Sequence, residues 1–316
     1  MKKEEIKMEE KIFIFGHKNP DTDSICSAMV KERFNRKLGY EKCFATRLGK
    51  VNKETQYVLD YLHLEAPEMI EKVEEGQEVI LVDHNDFSQS VEGIENAKII
   101  GVIDHHRIAN FRTAEPLYYN AKPYGCTGTI LYKEYQQRNL EISKEEAVLM
   151  ASSIISDTLL LKSPTTTKWD KQALEDLGKI GQIDIQQYGL EMLKAGTDLD
   201  DFTETELINL DAKSLEKDGK KFVIAQVNTV SIEDVLNRQQ AIETAMEDKM
   251  QADNLSLFVF AITDILNSNS EIIVLGQNAD EIIQKAFGKT LENHRAFLEG
   301  VVSRKKQLLP NIDKNI

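Results

Sequence analysis

Residues 11–15, KIFIF, form a short apolar run that breaks at Gly16, the pattern of a buried strand. A polar loop, HKNPDTDS, follows. Ser24 or Asp23 is placed to cap a helix reaching about Leu38, with Ile25, Ala28 and Met29 on one face and Gly39 as its stop. β-Branched runs recur at 78–86 (EVILVDHND) and 97–106 (AKIIGVIDHH), each ending in an Asp-His pair. Buried runs alternating with helical segments predict a parallel sheet with helices on both faces, whose functional edge lies beyond the carboxyl ends of its strands. Three strands then deliver His17, Asp21, Asp23, Asp83, Asp104, His105 and His106 to one edge.

Downstream, the periodicity predicts a helix over 144–162, in which Asp157 interrupts an apolar run. A carboxylate there costs several kcal/mol unless it is paired or bound to a metal. Two further helical patterns, KWDKQALEDLGKIG and DIQQYGLEMLKAG, precede a small, polar stretch at 195–201 that reads as a link between domains. Beyond it, a helix is expected at 203–216. Strands are expected at KFVIAQVNTV, LSLFVFAITDIL and SEIIVLG, and the basic run Arg304-Lys305-Lys306 interrupts a further apolar, strand-like stretch. The expected organisation is a larger N-terminal α/β domain, 1–195, and a smaller C-terminal α/β domain, 196–316. The first ten residues, MKKEEIKMEE, are polar and charged and read as either a frayed extension or a late-folding lead-in.

Composition sharpens this picture. Of 316 residues, 41% are hydrophobic and 29% charged, the profile of a globular chain, and the net charge of -14 counts against a broad nucleic-acid or anionic-membrane surface. No membrane span or signal-peptide core is evident, so a cytoplasmic location is expected. Cys26, Cys43 and Cys126 form no C-x-x-C pair and read as reduced core thiols.

Four carboxylates, Asp21, Asp23, Asp83 and Asp157, with two imidazoles, His17 and His105, suit a hard to borderline divalent ion, Mn²⁺ or Mg²⁺ ahead of Zn²⁺. Six donors are too many for one ion with an open position. Two ions sharing a carboxylate, roughly 3.5–4 Å apart, would activate a bridging water for in-line attack on phosphorus. His84 and Asp104 suit either coordination or support of the ligands. His63 and His294 lie outside every motif and read as surface or packing residues. The Arg304-Lys305-Lys306 run supplies a planar fork and point charges for phosphate oxygens.

Taken together, GHKNPDTDSICSA, ILVDHND, VIDHHRIANF, IISDTLLLKSPT, LDAKSL and VVSRKKQLLP resemble the family II, manganese-dependent inorganic pyrophosphatases of the DHH phosphoesterase group, over about 11–310. The resemblance implies one metal on His17, Asp21 and Asp83, and a second on Asp23, Asp83, His105 and Asp157, with Asp83 bridging. It implies that His106, Lys213, Arg304 and Lys305 contact pyrophosphate. It further implies two Mn²⁺ per subunit, replaceable by Co²⁺ or Mg²⁺, additional Mg²⁺ arriving with substrate, a flexible hinge, and a homodimer formed through the N-terminal domain. The short step from Asp83 to Asp104 leaves no room for the CBS insertion of some members. An exopolyphosphatase on the same metals is the nearest rival. A DHH exonuclease would usually carry a glycine-rich GGG motif, which this chain lacks, and a catalytically silent metal-binding module fits the intact ligands poorly.

Overall fold

A computed structural model describes residues 11–217 and 219–316, so the expected frayed extension or lead-in at 1–10 lies outside the described residues. The chain divides into two compact units, Met1–Gly196 and Thr197–Ile316.

In the first unit the order is β1 (Ile12–Phe15), α1 (Thr22–Lys37), β2 (Cys43–Arg47), α2 (Lys53–Leu62), β3 (Glu68–Met69), β4 (Glu78–Val82), β5 (Lys98–Asp104) and β6 (Tyr118–Ala121). Four helices follow: α3 (Thr127–Gln137), α4 (Lys144–Thr158), α5 (Lys168–Gly181) and α6 (Ile185–Gly196). The described strands form one sheet in the order β3-β2-β1-β4-β5-β6, all parallel. The chain leaves β1 toward β2 on one side and returns as β4 on the other. The carboxyl ends of β1 and β4 therefore flank the switch point, where parallel sheets open a crevice for ligands.

Helices α1 and α3 pack on one face of this sheet, with α4 behind them. The other face buries Phe13, Phe15, Val79, Leu81 and Val102 against Val73, Val91 and Ile94. Those partners come from loops and a short 3₁₀ turn, Ile94–Asn96. The expectation of helices on both faces is corrected here: among the described residues, connections between β3 and β5 supply the apolar side chains that cover this face, and no α-helix contributes to it.

Two expected boundaries also move. Helix α1 begins two residues earlier than an Asp23 cap and three earlier than a Ser24 cap would set it, because the cap is Asp21, whose Oδ1 accepts from the Ser24 backbone N at 3.0 Å. Helix α4 stops at Thr158 instead of 162, because Leu159, Leu160 and Leu161 all take left-handed φ values of 48°, 53° and 67°. Left-handed backbone costs a non-glycine residue about 1–2 kcal/mol. This reversed turn directly follows Asp157.

The second unit runs α7 (Glu204–Leu207), β7 (Ala212–Lys217), β8 (Lys220–Thr229), α8 (Ile232–Leu236), α9 (Gln239–Asp253), β9 (Leu255–Asp264), β10 (Asn269–Gly276), α10 (Ala279–Phe287), β11 (Arg295–Glu299) and α11 (Leu309–Asp313). Its mixed sheet has the order β11-β10-β9-β8-β7, with β8 and β9 parallel and the other pairs antiparallel. Here helices do cover both faces. Val223, Phe258 and Phe260 meet Ile242 and Met246 of α9, while Phe222, Ile224 and Val259 meet Ile283 of α10 and Ile312 of α11.

The helix expected at 203–216 is one turn only. A Thr203–Glu206 capping box starts it, but Ala212–Lys217 pairs antiparallel with β8, so ladder hydrogen bonds override local helix preference. The basic run does not interrupt a strand. Arg304–Leu308 forms a π turn, capped by the Ser303 hydroxyl and continuous with α11. Its apolar residues Leu308 and Ile312 recur at four-residue spacing and are buried against the sheet, which is helical packing.

Candidate metal centre

The close packing of α1 on the end of β1 builds the first part of the site. A Cβ at Gly16 would lie 2.4 Å from the Ser24 Cβ, so only glycine admits this approach. His17, leaving β1, then places Nε2 3.4 Å from Asp21 Oδ2 and 3.4 Å from Asp83 Oδ2. Asp83 itself follows β4 with φ 58°, a left-handed backbone at a non-glycine residue. That turn buries its carboxylate, which accepts from the Ser24 hydroxyl at 2.7 Å.

Asp23 is buried in the first turn of α1 and faces the start of α3. Its carboxylate accepts from the Thr127 and Gly128 backbone N atoms, at 2.7 and 3.1 Å, and from the Ser27 hydroxyl at 2.7 Å. Amides at a helix start are natural partners for an anion. His105, at the end of β5, puts Nδ1 3.2 Å from the Tyr124 carbonyl. That partner keeps the Nδ1 proton in place and aims Nε2 inward. Nε2 lies 3.3 Å from both Asp83 Oδ1 and Asp157 Oδ2.

The described residues thus make two donor sets whose atoms lie within 4.8 Å of one another: His17, Asp21 and Asp83, and Asp23, Asp83, His105 and Asp157. Asp83 belongs to both. His106 joins a third grouping with Asp83 and His105. Its Nδ1 and backbone N both lie 3.0 Å from Asp104 Oδ1, while Asp104 Oδ2 accepts from Asn85 Nδ2 at 2.6 Å.

Electrostatics show what this cluster lacks. Burial, then the neighbouring Asp83 charge, pushes the Asp23 carboxyl up to about 6. Burial and the charges of Asp23 and Asp83 push Asp157 well above the usual carboxylate range. For His17, burial disfavours the cation, but bonds to Asp21 and Asp83 outweigh it and raise the imidazole to about 10. His105 behaves alike, with burial opposed by Asp83 and Asp23, and reaches about 9. Protons are gathered where the carboxylates need positive charge. Further, His105 Nε2 is buried 3.3 Å from two carboxylate oxygens but makes no well-directed hydrogen bond to either. A buried imidazole nitrogen so poorly satisfied among clustered carboxylates fits divalent cations, and the all-N/O donor set suits Mn²⁺ or Mg²⁺.

His84 does not point its nitrogens at this cluster. Its Nδ1 meets the Val82 carbonyl at 2.9 Å and its Nε2 the Ser90 hydroxyl at 3.1 Å, which braces the turn at Asp83. His63 and His294 are exposed and belong to neither donor set. All three cysteines are free and buried. Lys213, Arg304 and Lys305 belong to the second unit, Lys213 exposed on β7 and the other two opening the π turn.

Sequence reading missed Glu54. Its Oε1 accepts from the Thr22 hydroxyl at 2.6 Å and the Ser156 hydroxyl at 2.5 Å, so it ties the Asp21–Asp23 segment to the residue before Asp157. No motif signals it. The amides of Thr127 and Gly128 were also missed, although the small-residue run GCTGT ahead of a helical pattern is a signal for an anion-binding helix start.

A parallel sheet with Asp and His donors at its switch point, followed by a mixed-sheet unit, defines the two-domain DHH class. The DHH family N-terminal domain matches 11–154 and the DHHA2 domain matches 190–315. A manganese-dependent inorganic pyrophosphatase of Bacillus subtilis is 53% identical over 302 residues, 95% of this chain and 97% of its own. A relative from an Exiguobacterium species, named a probable manganese-dependent inorganic pyrophosphatase, is 54% identical over 95% of this chain and 96% of its own. A solved Methanococcus jannaschii chain assigned to the family II inorganic pyrophosphatases is 40% identical with a TM-score of 0.62, covering 96% of this chain and 99% of that one. The chain belongs to the manganese-dependent, family II inorganic pyrophosphatases. Among the described residues no helix is long and apolar enough to cross a membrane.

Proposed function

We propose that this chain hydrolyses inorganic pyrophosphate to two orthophosphates at a dinuclear centre, with Asp83 shared between the ions. The observation that carries this reading is the pair of donor sets meeting at one buried carboxylate. His17, Asp21 and Asp83 would hold one Mn²⁺, and Asp23, Asp83, His105 and Asp157 the other. When bound, the pair supplies Lewis acidity and a bridging hydroxide for in-line attack on phosphorus. Co²⁺ or Mg²⁺ substitutes for Mn²⁺, and further Mg²⁺ enters with the substrate.

The protein's own groups do the rest. His106, its Nδ1 braced on Asp104, binds substrate and helps protonate the leaving phosphate through its other nitrogen. Lys213, Arg304 and Lys305 neutralise phosphate charge, Arg304 as a fork and the lysines as point charges. The metal-binding role belongs to the first unit, phosphate binding is shared between His106 of the first unit and the basic residues of the second, and the assembly is a homodimer formed through the first.

Orthophosphate release from pyrophosphate, tripolyphosphate and a short oligonucleotide, each with Mn²⁺ and with Mg²⁺, tests the reading. Pyrophosphate with Mn²⁺ is expected to be preferred. Faster release from tripolyphosphate would move the assignment to an exopolyphosphatase.

A further inference from the structure

Arg304 is held at both its side chain and its backbone, by groups that belong to the second unit alone. Nε and Nη2 of the guanidinium donate to Oδ2 and Oδ1 of Asp211, at 3.1 and 2.6 Å. The Arg304 backbone N donates to Gln226 Oε1 at 2.8 Å. Gln226 is buried on β8, and its Nε2 donates to the Thr263 hydroxyl at 2.7 Å and the Val302 carbonyl at 2.9 Å. Thr263 in turn pairs with Ser270 at 2.8 Å, and the Ser270 hydroxyl donates to the Val301 carbonyl at 2.7 Å. Three adjacent strands therefore pin the chain from Val301 to Arg304. The two holders are themselves joined, because the Gln226 backbone N donates to the Asp211 carbonyl at 3.0 Å.

An exposed ion pair normally contributes only about 0–1 kcal/mol to stability. This one is bidentate and the arginine side chain is only 18% exposed, so its effect is on orientation. The fork occupies the Nε–Nη2 edge and leaves Nη1 outside it. With that edge fixed, the guanidinium plane cannot swing, and the remaining edge is presented in one direction. Asp211 is a poor phosphate ligand itself, being an anion.

We propose that Asp211 is a positioning residue, which fixes the Arg304 guanidinium so that its Nη1 side meets a pyrophosphate oxygen, while Gln226 holds the backbone below it. The inference rests on the reading of Arg304 as a phosphate-binding residue. Two effects of removing Asp211 have opposite signs. If the carboxylate only repelled an anionic substrate, its loss would lower KM; if it orients Arg304, its loss raises KM.

The test uses the full-length, Mn²⁺-loaded enzyme and the variants Asp211→Asn, Asp211→Glu, Arg304→Ala and Asp211→Asn/Arg304→Ala, with KM and kcat for pyrophosphate and bound manganese measured on each. Asp211→Asn is expected to raise KM about tenfold at unchanged manganese content. Asp211→Glu should recover part of that loss, and Asp211→Asn should add nothing once Arg304 is alanine. An unchanged or lowered KM in Asp211→Asn, or an equal rise in the Arg304→Ala background, overturns the inference. If Arg304→Ala itself leaves KM unaltered, the failure is traced to the phosphate-binding reading on which the inference stands.

Discussion

Asp83 combines two demands on one residue, a shared position between the donor sets and a left-handed backbone at φ 58°. Asparagine tolerates that backbone nearly as well as aspartate, whereas alanine does not. Asp83→Asn therefore removes the charge without adding backbone strain. It is expected to lose bound manganese and pyrophosphatase activity together while keeping its far-UV circular dichroism, and a variant that retained both ions would show that Asp83 does not bridge them. Glu54 acts one step further out. Glu54→Ala frees the Thr22 and Ser156 hydroxyls, and manganese affinity should fall about 10–100-fold in a direct metal titration. The contrast explains what the sequence disclosed. Asp83, His105 and Asp157 were legible because polar groups at strand ends or inside an apolar helix are costly without a purpose. Glu54 was not, because its partners lie 32 and 102 residues away and only the folded chain brings them together.

At the scale of elements, helix α4 shows how a segment carrying a candidate metal ligand is anchored from its far end. Glu146 closes a capping box with Ser143 at the start of α4, pairs with Lys37 at 2.6 Å at the end of α1, and accepts from the Tyr135 hydroxyl at 2.8 Å on α3. Burial works against its charge, but these partners prevail and hold the carboxyl below its ordinary value near 4.5. A depressed carboxyl stabilises the fold above the unfolded-state value, and that contribution is lost as pH falls through the folded one. Glu146→Gln should accordingly cost about 2–3 kcal/mol at pH 7 in urea unfolding. The gap to the parent should shrink as pH drops below about 4.5, and a gap that stays constant with pH would exclude the ionised carboxylate as its source. Element boundaries were less legible than this capping. Strands β2, β3, β6 and β11 gave no clear apolar run because they are short or half exposed, and β7 became a strand only through pairing with β8.

For the molecule as a whole, the net charge of -14 sets no limit on an anionic substrate, because the carboxylates that matter are gathered around positions suited to cations. Each unit closes its own core, one on the parallel sheet and one on the mixed sheet, so each has the means to unfold as a separate step. Both proposed metal sets lie in the first unit, and a ligand stabilises only the cooperative unit that binds it. The chain contains a single tryptophan, Trp169 on α5, which reports on that unit alone. Thermal unfolding of the metal-free chain is therefore expected to show two phases by circular dichroism, one of them shared with Trp169 fluorescence. Mn²⁺ at about a hundred times its Kd adds about 2.7 kcal/mol. It should raise the midpoint of the fluorescence phase and leave the other in place, and EDTA should reverse the shift. Equal movement of both phases would mean that the metals stabilise a single cooperative structure and that the second unit has no independent transition.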